Sequence, residues 1–230
     1  AFPIACIGIL RAGAVQVNVN PLYTPRELEH QLKDSGSEII IIFNGSTPTL
    51  AEVATKAGIK TVITVAPGDA TAAALPSPPV DPRLTGTIAF ADALRAGAAL
   101  QRIPVTLSGD DLIFLQYTGG TTGLSKGAAL SHRNLVANVE QFKATMPSAV
   151  RPGQEVIVTA IPLYHIFALM VNFLTYFSVG ADSWLVANPR DMDGFVETLK
   201  KSKLTVFMGV NTLYAGLVMH PKIREVDFSH

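Results

Sequence analysis

A single cysteine, Cys6, leaves the chain unable to close an internal disulfide, and it sits in the apolar run AFPIACIGIL, where a packed, reduced thiol is expected. That excludes a secreted disulfide scaffold. Charge of one sign is not in excess either. Lys plus Arg total 18 and Asp plus Glu total 18, so no long-range field gathers nucleic acid or anionic lipid, and any anion must be held by local geometry. Only 16% of residues are charged and 48% are hydrophobic, which separates the chain from disordered sequences and supplies material for a substantial core. One charge-free run, Val156 to Ala181, is long enough to cross a bilayer. Pro162, His165, Asn172 and Gly180 divide it into strand, turn, helix and stop, so it reads as buried protein structure instead. The chain also lacks a Walker sequence, G-x-x-x-x-G-K-S/T, and a G-x-G-x-x-G dinucleotide fingerprint in a strand–turn context, which disfavours a standard P-loop NTPase or a dehydrogenase.

What is present is an alternation of helical and strand patterns, as expected of an α/β fold with parallel sheets flanked by helices. Phe2 to Arg11 has no basic start and reads as a helix already under way, ended by Gly13, followed by a strand in AVQVNVN. Thr24-Pro25-Arg26-Glu27 offers an N-cap hydroxyl, a proline at the first helical position and a glutamate placed to bond back. The helix it starts keeps Leu28 and Leu32 on one face and ends at Gly36. Glu38 to Phe43 predicts a strand buried on both faces, and Lys60 to Val65 a second strand. The Ala-, Pro-, Gly- and Ser-rich stretch Ala66 to Pro82 reads as a surface excursion, and Ile88 to Leu100 as one alanine-rich helix. Regular order resumes with a strand from Leu112 to Thr118, a glycine-rich turn, a short strand AALS and a helix capped by Ser131. VIVTAI, a helix around Phe167 to Phe177, SWLVA, FVETLKKS, LTVFMG and a helix from near Asn211 then alternate. The expected organisation is a first α/β subdomain portion at 1–82, a connecting segment at 83–109 and a second portion at 110–230. A start in mid-helix and an end at VDFSH without a closing element read as a fragment.

Chemistry concentrates in YTGGTTGLSKG, Tyr117 to Gly127. Phosphate oxygens need donors converging from a backbone that approaches closely, and Gly119, Gly120, Gly123 and Gly127 remove side chains that would block it. Thr118, Thr121, Thr122 and Ser125 add hydroxyls able to donate to phosphate or turn a lone pair to a magnesium ion. Lys126 adds a mobile positive charge. A shorter stretch of glycine and threonine would read equally as an ordinary turn.

The segment YTGGTTGLSKGAALSHRNL closely resembles the nucleotide-binding signature of the adenylate-forming superfamily: acyl-CoA synthetases, luciferases and peptide-synthetase adenylation domains. VNVNPLYTPRELEHQLKDSG, IPLYHIFAL and GVNTLY resemble bacterial long-chain fatty acid–CoA ligases, so the resemblance covers nearly the whole chain. It implies an incomplete N-terminal domain, with the C-terminal domain absent. The implied activity joins a fatty acid to ATP as an acyl-adenylate, releasing pyrophosphate, and then passes the acyl group to the thiol of coenzyme A. It further implies that Tyr117, Thr118, Gly119, Gly120, Thr121, Thr122, Gly123, Leu124, Ser125, Lys126, Gly127 and Ala128 line the nucleotide, with Thr118 at Mg2+. Lys126 would steady the outer phosphates. Tyr164, His165, Leu169, Gly209 and Val210 would meet the acyl substrate, with His165 in the catalytic set as a positioning residue and Leu169 near where some relatives place a tryptophan gate. Phe167, Met170 and Phe173 are available to an apolar tunnel, though each also suits plain core, as Tyr164 and His165 do. The expected partners are fatty acid, ATP and CoA, with no nucleic acid, in a cytoplasmic setting open to peripheral contact at the inner membrane face. This chain alone is expected to be unable to complete adenylation, because the adenine, ribose and catalytic-lysine signatures of relatives find no match in it. Two rival readings are an adenylate-forming enzyme with another acid or acceptor, and a noncatalytic nucleotide- or lipid-binding module.

Overall fold

Short-range hydrogen bonds set the helix ends in this chain and thereby fix where its strands begin. The computed structural model describes residues 1–71, 75–118 and 124–230, which fold as two compact units, Ala1–His132 and Arg133–His230.

In the first unit, helix α1 (Phe2–Arg11) leads into strand β1 (Gln16–Asn18) through Gly13, whose φ is 72° and whose absent Cβ would lie 2.6 Å from Val105 Cγ1. Helix α2 (Pro25–Ser35) begins as predicted. Thr24 Oγ1 accepts from Glu27 N, Glu27 Oε2 accepts from Thr24 N at 2.8 Å, and Gly36 closes the helix in a left-handed conformation. Strand β2 (Ile39–Phe43), helix α3 (Thr47–Ala51) and strand β3 (Thr61–Val65) follow. Leu28 and Leu32 of α2 pack with Ile40, Ile42, Leu50 and Val53 in one buried cluster. Only one face of β2 is covered, however. Ile39 and Phe43 are 63% and 41% exposed, so the strand alternates and is not buried on both faces. Nor is Ile88 to Leu100 a single helix: strand β4 (Ile88–Ala89) first pairs with β3, and helix α4 (Phe90–Ala98) starts only at the buried Phe90.

The unit closes with strands β5 (Leu112–Thr118) and β6 (Lys126–Ser131). Among the described residues, β2, β3 and β4 form a parallel sheet, as predicted. The other sheet, ordered β1-β5-β6, is mixed: β1 runs parallel to β5, but β6 returns antiparallel. A parallel return would need a crossover longer than the turn provides. Beside this sheet a chain of buried amides runs from Gln16 Nε2 to Asn18 Oδ1 (2.6 Å) and from Asn18 Nδ2 to Gln116 Oε1 (2.8 Å), while Gln31 Nε2 of α2 donates to Asn18 O (2.8 Å).

The second unit opens on most of helix α5 (His132–Thr145). Strands β7 (Val156–Thr159), β8 (Asp182–Leu185) and β9 (Val206–Met208) form a parallel sheet in the order β8-β7-β9. The central strand is buried on both faces, with Ile157 and Val158 fully enclosed. Around Val158 pack Phe195, Val196 and Leu199 from helix α7 (Met192–Ser202) and Leu217 from helix α8 (Asn211–Met219); around Ile157 pack Val150, Tyr176 and Val206. The predicted helix around Phe167 to Phe177 is present but is wound as a π-helix over Ala168–Thr175, continuing into helix α6 (Tyr176–Ser178). Thr175 Oγ1 donates to Met170 O, five residues back, at 2.9 Å. Among the described residues no helix is long and apolar enough to cross a membrane.

Where β7 and β9 begin, the buried carboxylate of Glu155 fastens them. It accepts from Arg151 N (2.9 Å) and Arg151 Nε (2.7 Å) on one oxygen, and from Thr205 Oγ1 on the other. These hydrogen bonds, led by those from Arg151, hold its pKa at about 2.

Candidate functional site

Strands β5 and β6 pair antiparallel on either side of the glycine-rich stretch. Their last paired rung is Thr118 opposite Lys126, and the rung before it is Tyr117 opposite Gly127. Residues directly opposite in an antiparallel ladder project to the same face, and successive rungs alternate faces. The hairpin therefore presents the Thr118 hydroxyl and the Lys126 ammonium together, both exposed, while Tyr117 and Gly127 point the other way. Leu124 is 62% exposed, Ala128 is exposed and Ser125 half-buried. Gly119, Gly120, Thr121, Thr122 and Gly123 lie outside the described residues.

On the face away from Thr118 and Lys126, the hairpin is held. The Tyr117 ring is buried, and its hydroxyl donates to Asp34 Oδ2 on α2 at 2.6 Å. Burial first, and the Asp34 carboxylate second, raise the Tyr117 pKa, which keeps the hydroxyl protonated as a donor. Gly127 makes room for that ring: a Cβ there would lie 2.9 Å from Tyr117 Cε2. The missing side chain at Gly127 thus serves packing at the base of the hairpin. One turn earlier on α2, His30 Nε2 donates to the carbonyl oxygen of Ser125 at 3.0 Å. Because a carbonyl only accepts, Nε2 must carry the proton. Neither His30 nor Asp34 stands out in the sequence, where both read as the solvated face of an amphipathic helix. The readable trace is their four-residue spacing on the side opposite Leu28 and Leu32.

In the second unit the substrate-side candidates gather at one end of a sheet. Thr159 of β7 is in register with Met208 of β9, so the segments that follow them, Ala160 to His165 and Gly209 to Val210, leave side by side from the carboxyl ends of adjacent parallel strands. Open α/β sheets place ligands at that end. His165 is exposed and begins the long helix: its Nδ1 accepts from Phe167 N at 3.3 Å, and its carbonyl accepts from Leu169 N. With Nδ1 used as a cap, Nε2 is the nitrogen His165 can offer a ligand. Tyr164 is half-buried. Gly209 is bordered by Tyr214, Leu213 and Phe207, and Val210 is 49% exposed. The Phe207 and Tyr214 rings meet edge-on with centroids 5.3 Å apart, and the Tyr214 hydroxyl donates to Phe207 O. Leu169, Met170 and Phe173 are buried in the π-helical segment, Leu169 completely.

Among the described residues no cluster of three or more His, Cys, Asp or Glu side chains is arranged to hold a metal ion. The exposed Thr118 hydroxyl, set opposite Lys126, is a hard oxygen donor of the kind magnesium accepts.

The long-chain-fatty-acid–CoA ligase of Salmonella typhimurium (strain LT2) is 46% identical over 239 aligned residues, covering 99% of this chain. The chain spans 43% of that relative's length. Among solved structures, ATP-bound MatB from Rhodopseudomonas palustris superposes with a TM-score of 0.72 at 26% identity, covering 96% of this chain and 39% of that one. An anthranilate CoA ligase in complex with anthranoyl-AMP shares the fold, with a TM-score of 0.77 at 21% identity over 98% of this chain and 40% of that one. The sequence pattern of one family, AMP-binding enzyme, matches residues 1–230. Since that pattern spans its whole length, the chain belongs to the AMP-binding enzyme family.

Proposed function

We propose that the chain is the triphosphate-holding and acyl-facing portion of an ATP-dependent long-chain fatty acid–CoA ligase. The observation that carries this reading is 46% identity to such a ligase across 99% of the chain. In the first half-reaction the fatty acid carboxylate attacks the α-phosphorus of ATP and pyrophosphate leaves; in the second, the CoA thiol attacks the acyl carbonyl and AMP leaves. The physical obstacle to the first step is bringing two anions together, so charge neutralisation and alignment dominate. Lys126 neutralises the outer phosphates and the departing pyrophosphate, and the backbone and hydroxyls of 118–125 orient them. Thr118 Oγ1 is the residue that would contribute to Mg2+ carried on the triphosphate, and the ion would supply further charge neutralisation. Tyr164 and His165 orient the carboxyl end of the acid, and Gly209 and Val210 flank its chain. CoA enters only after adenylation, and the proposed setting is cytoplasmic, open to peripheral contact at the inner membrane face.

The test is acid-dependent exchange of labelled pyrophosphate into ATP by the full-length protein, with a panel of fatty and aromatic acids. Exchange with long-chain acids, reduced on the order of a hundred-fold by Lys126→Ala, is the expected result. Exchange only with an aromatic or short dicarboxylic acid would move the protein to another acid, and equal ATP affinity in wild type and Lys126→Ala would remove the phosphate role of the lysine.

A further inference from the structure

Helix α2 has two working faces. Leu28 and Leu32 enter the apolar cluster with Ile40 and Ile42, while His30 and Asp34, four residues apart and so stacked on one side, reach the β5–β6 hairpin. The two contacts are not at random points. Asp34 holds Tyr117, the residue before Thr118 on the outgoing strand, and His30 holds Ser125, the residue before Lys126 on the returning side. One rigid helix therefore grips both limbs of the hairpin at its neck, each contact adjacent to a side chain offered to phosphate. The grip is itself braced. The α2 N-terminus is locked by the Thr24–Glu27 capping box, Gln31, fully buried between the two contacts, is anchored to Asn18 O, and the bare Cα of Gly127 seats the Tyr117 ring that reaches Asp34.

We infer that His30 and Asp34 are positioning residues for nucleoside triphosphate binding, holding the neck of the phosphate hairpin so that Thr118 and Lys126 are preset before ATP arrives. Neither side chain touches the ligand in this scheme. Without the grip, ordering of the hairpin is deferred to the moment of binding and weakens ATP affinity, while the acyl side is untouched. The inference rests on the adenylating function proposed above.

In the full-length protein, ATP and fatty acid KM values are measured separately by pyrophosphate exchange, alongside equilibrium ATP binding. Loss of one such hydrogen bond predicts a roughly five-fold higher ATP KM and Kd for His30→Leu and for Asp34→Ala, with the fatty acid KM unchanged. His30→Gln, which keeps an N–H donor, and Asp34→Asn, which keeps an acceptor for the Tyr117 hydroxyl, should return ATP affinity to within about two-fold of wild type, since each preserves a neutral hydrogen bond. A merely structural role would lower the amount of active protein, reducing apparent kcat with both KM values unchanged, and that outcome overturns the inference. So does an unchanged ATP Kd in His30→Leu and Asp34→Ala, or failure of both conservative variants to restore it. A wild-type protein that neither binds ATP nor exchanges pyrophosphate overturns the adenylating function itself and this inference with it, whereas wild-type exchange with indifferent variants overturns the inference alone.

Discussion

Glu155 lends itself to a quantitative test because its environment fixes both the size and the pH range of its effect. The carboxylate is 2% exposed and held by Arg151 and Thr205. Its pKa of about 2, against an ordinary 4.5, corresponds to roughly 3 kcal/mol of stability at neutral pH, taking about 1.4 kcal/mol per pKa unit. The sign follows from proton binding. The folded form binds the proton less tightly than the unfolded form, so the contribution is complete above about pH 4.5 and is lost as pH falls through about 2. Glu155→Gln removes the charge but leaves Arg151, whose side chain is 46% exposed and can rehydrate, so the larger penalty of a stranded buried cation does not apply. We expect a loss of about 2–3 kcal/mol at pH 7. Urea unfolding followed by the fluorescence of Trp184, the sole tryptophan, on β8 next to β7, reads it directly. The gap between wild type and variant should close steadily from pH 5 toward pH 3. A gap below about 0.5 kcal/mol at pH 7, or one that stays constant over this range, would refute the assignment.

Three further outcomes follow from the hairpin and its supporting helix. Gly127→Val must displace the Tyr117 ring, because even a Cβ falls 2.9 Å from it; ATP affinity measured by calorimetry should fall, and unchanged binding would show that the ring is free to move. Thr24→Ala removes the cap of α2 and should lower stability by about 1 kcal/mol in urea unfolding. The hundred-fold drop in pyrophosphate exchange expected for Lys126→Ala should appear with little change in unfolding midpoint, since the side chain is exposed.

How much of this was readable in the sequence varied with the range of the interactions involved. The start and stop of α2 were legible because Thr24, Glu27 and Gly36 act over a few residues, and the parallel β8-β7-β9 sheet because its strands are separated by recognisable helices. The return direction of β6 was not assigned, since AALS alone carries no register. Ile39 and Phe43 look like core in a run of isoleucines, but whether a second face is covered depends on distant segments. The π-helical winding of Ala168–Thr175 leaves no mark on an apolar run that would suit an α-helix equally. At the hairpin, the glycine and hydroxyl spacing led to the expectation of a phosphate-binding loop, and the strand pairing sets Thr118 opposite Lys126. The contacts of His30 and Asp34 span 95 and 83 residues of sequence and became visible only once α2 was placed beside β5 and β6.

The two-faced packing of α2 has a thermodynamic corollary. A helix bonded on one side to the hairpin and buried on the other among Ile40, Ile42 and Leu50 makes the order of the hairpin and the integrity of that apolar cluster mutually dependent. Such coupling is reciprocal: whatever free energy a tightened hairpin passes to the cluster, a loosened cluster withdraws from the hairpin. On the phosphate role proposed for the hairpin, substitutions beneath α2 are therefore expected to change nucleotide affinity, and bound nucleotide to stabilise that apolar cluster in return.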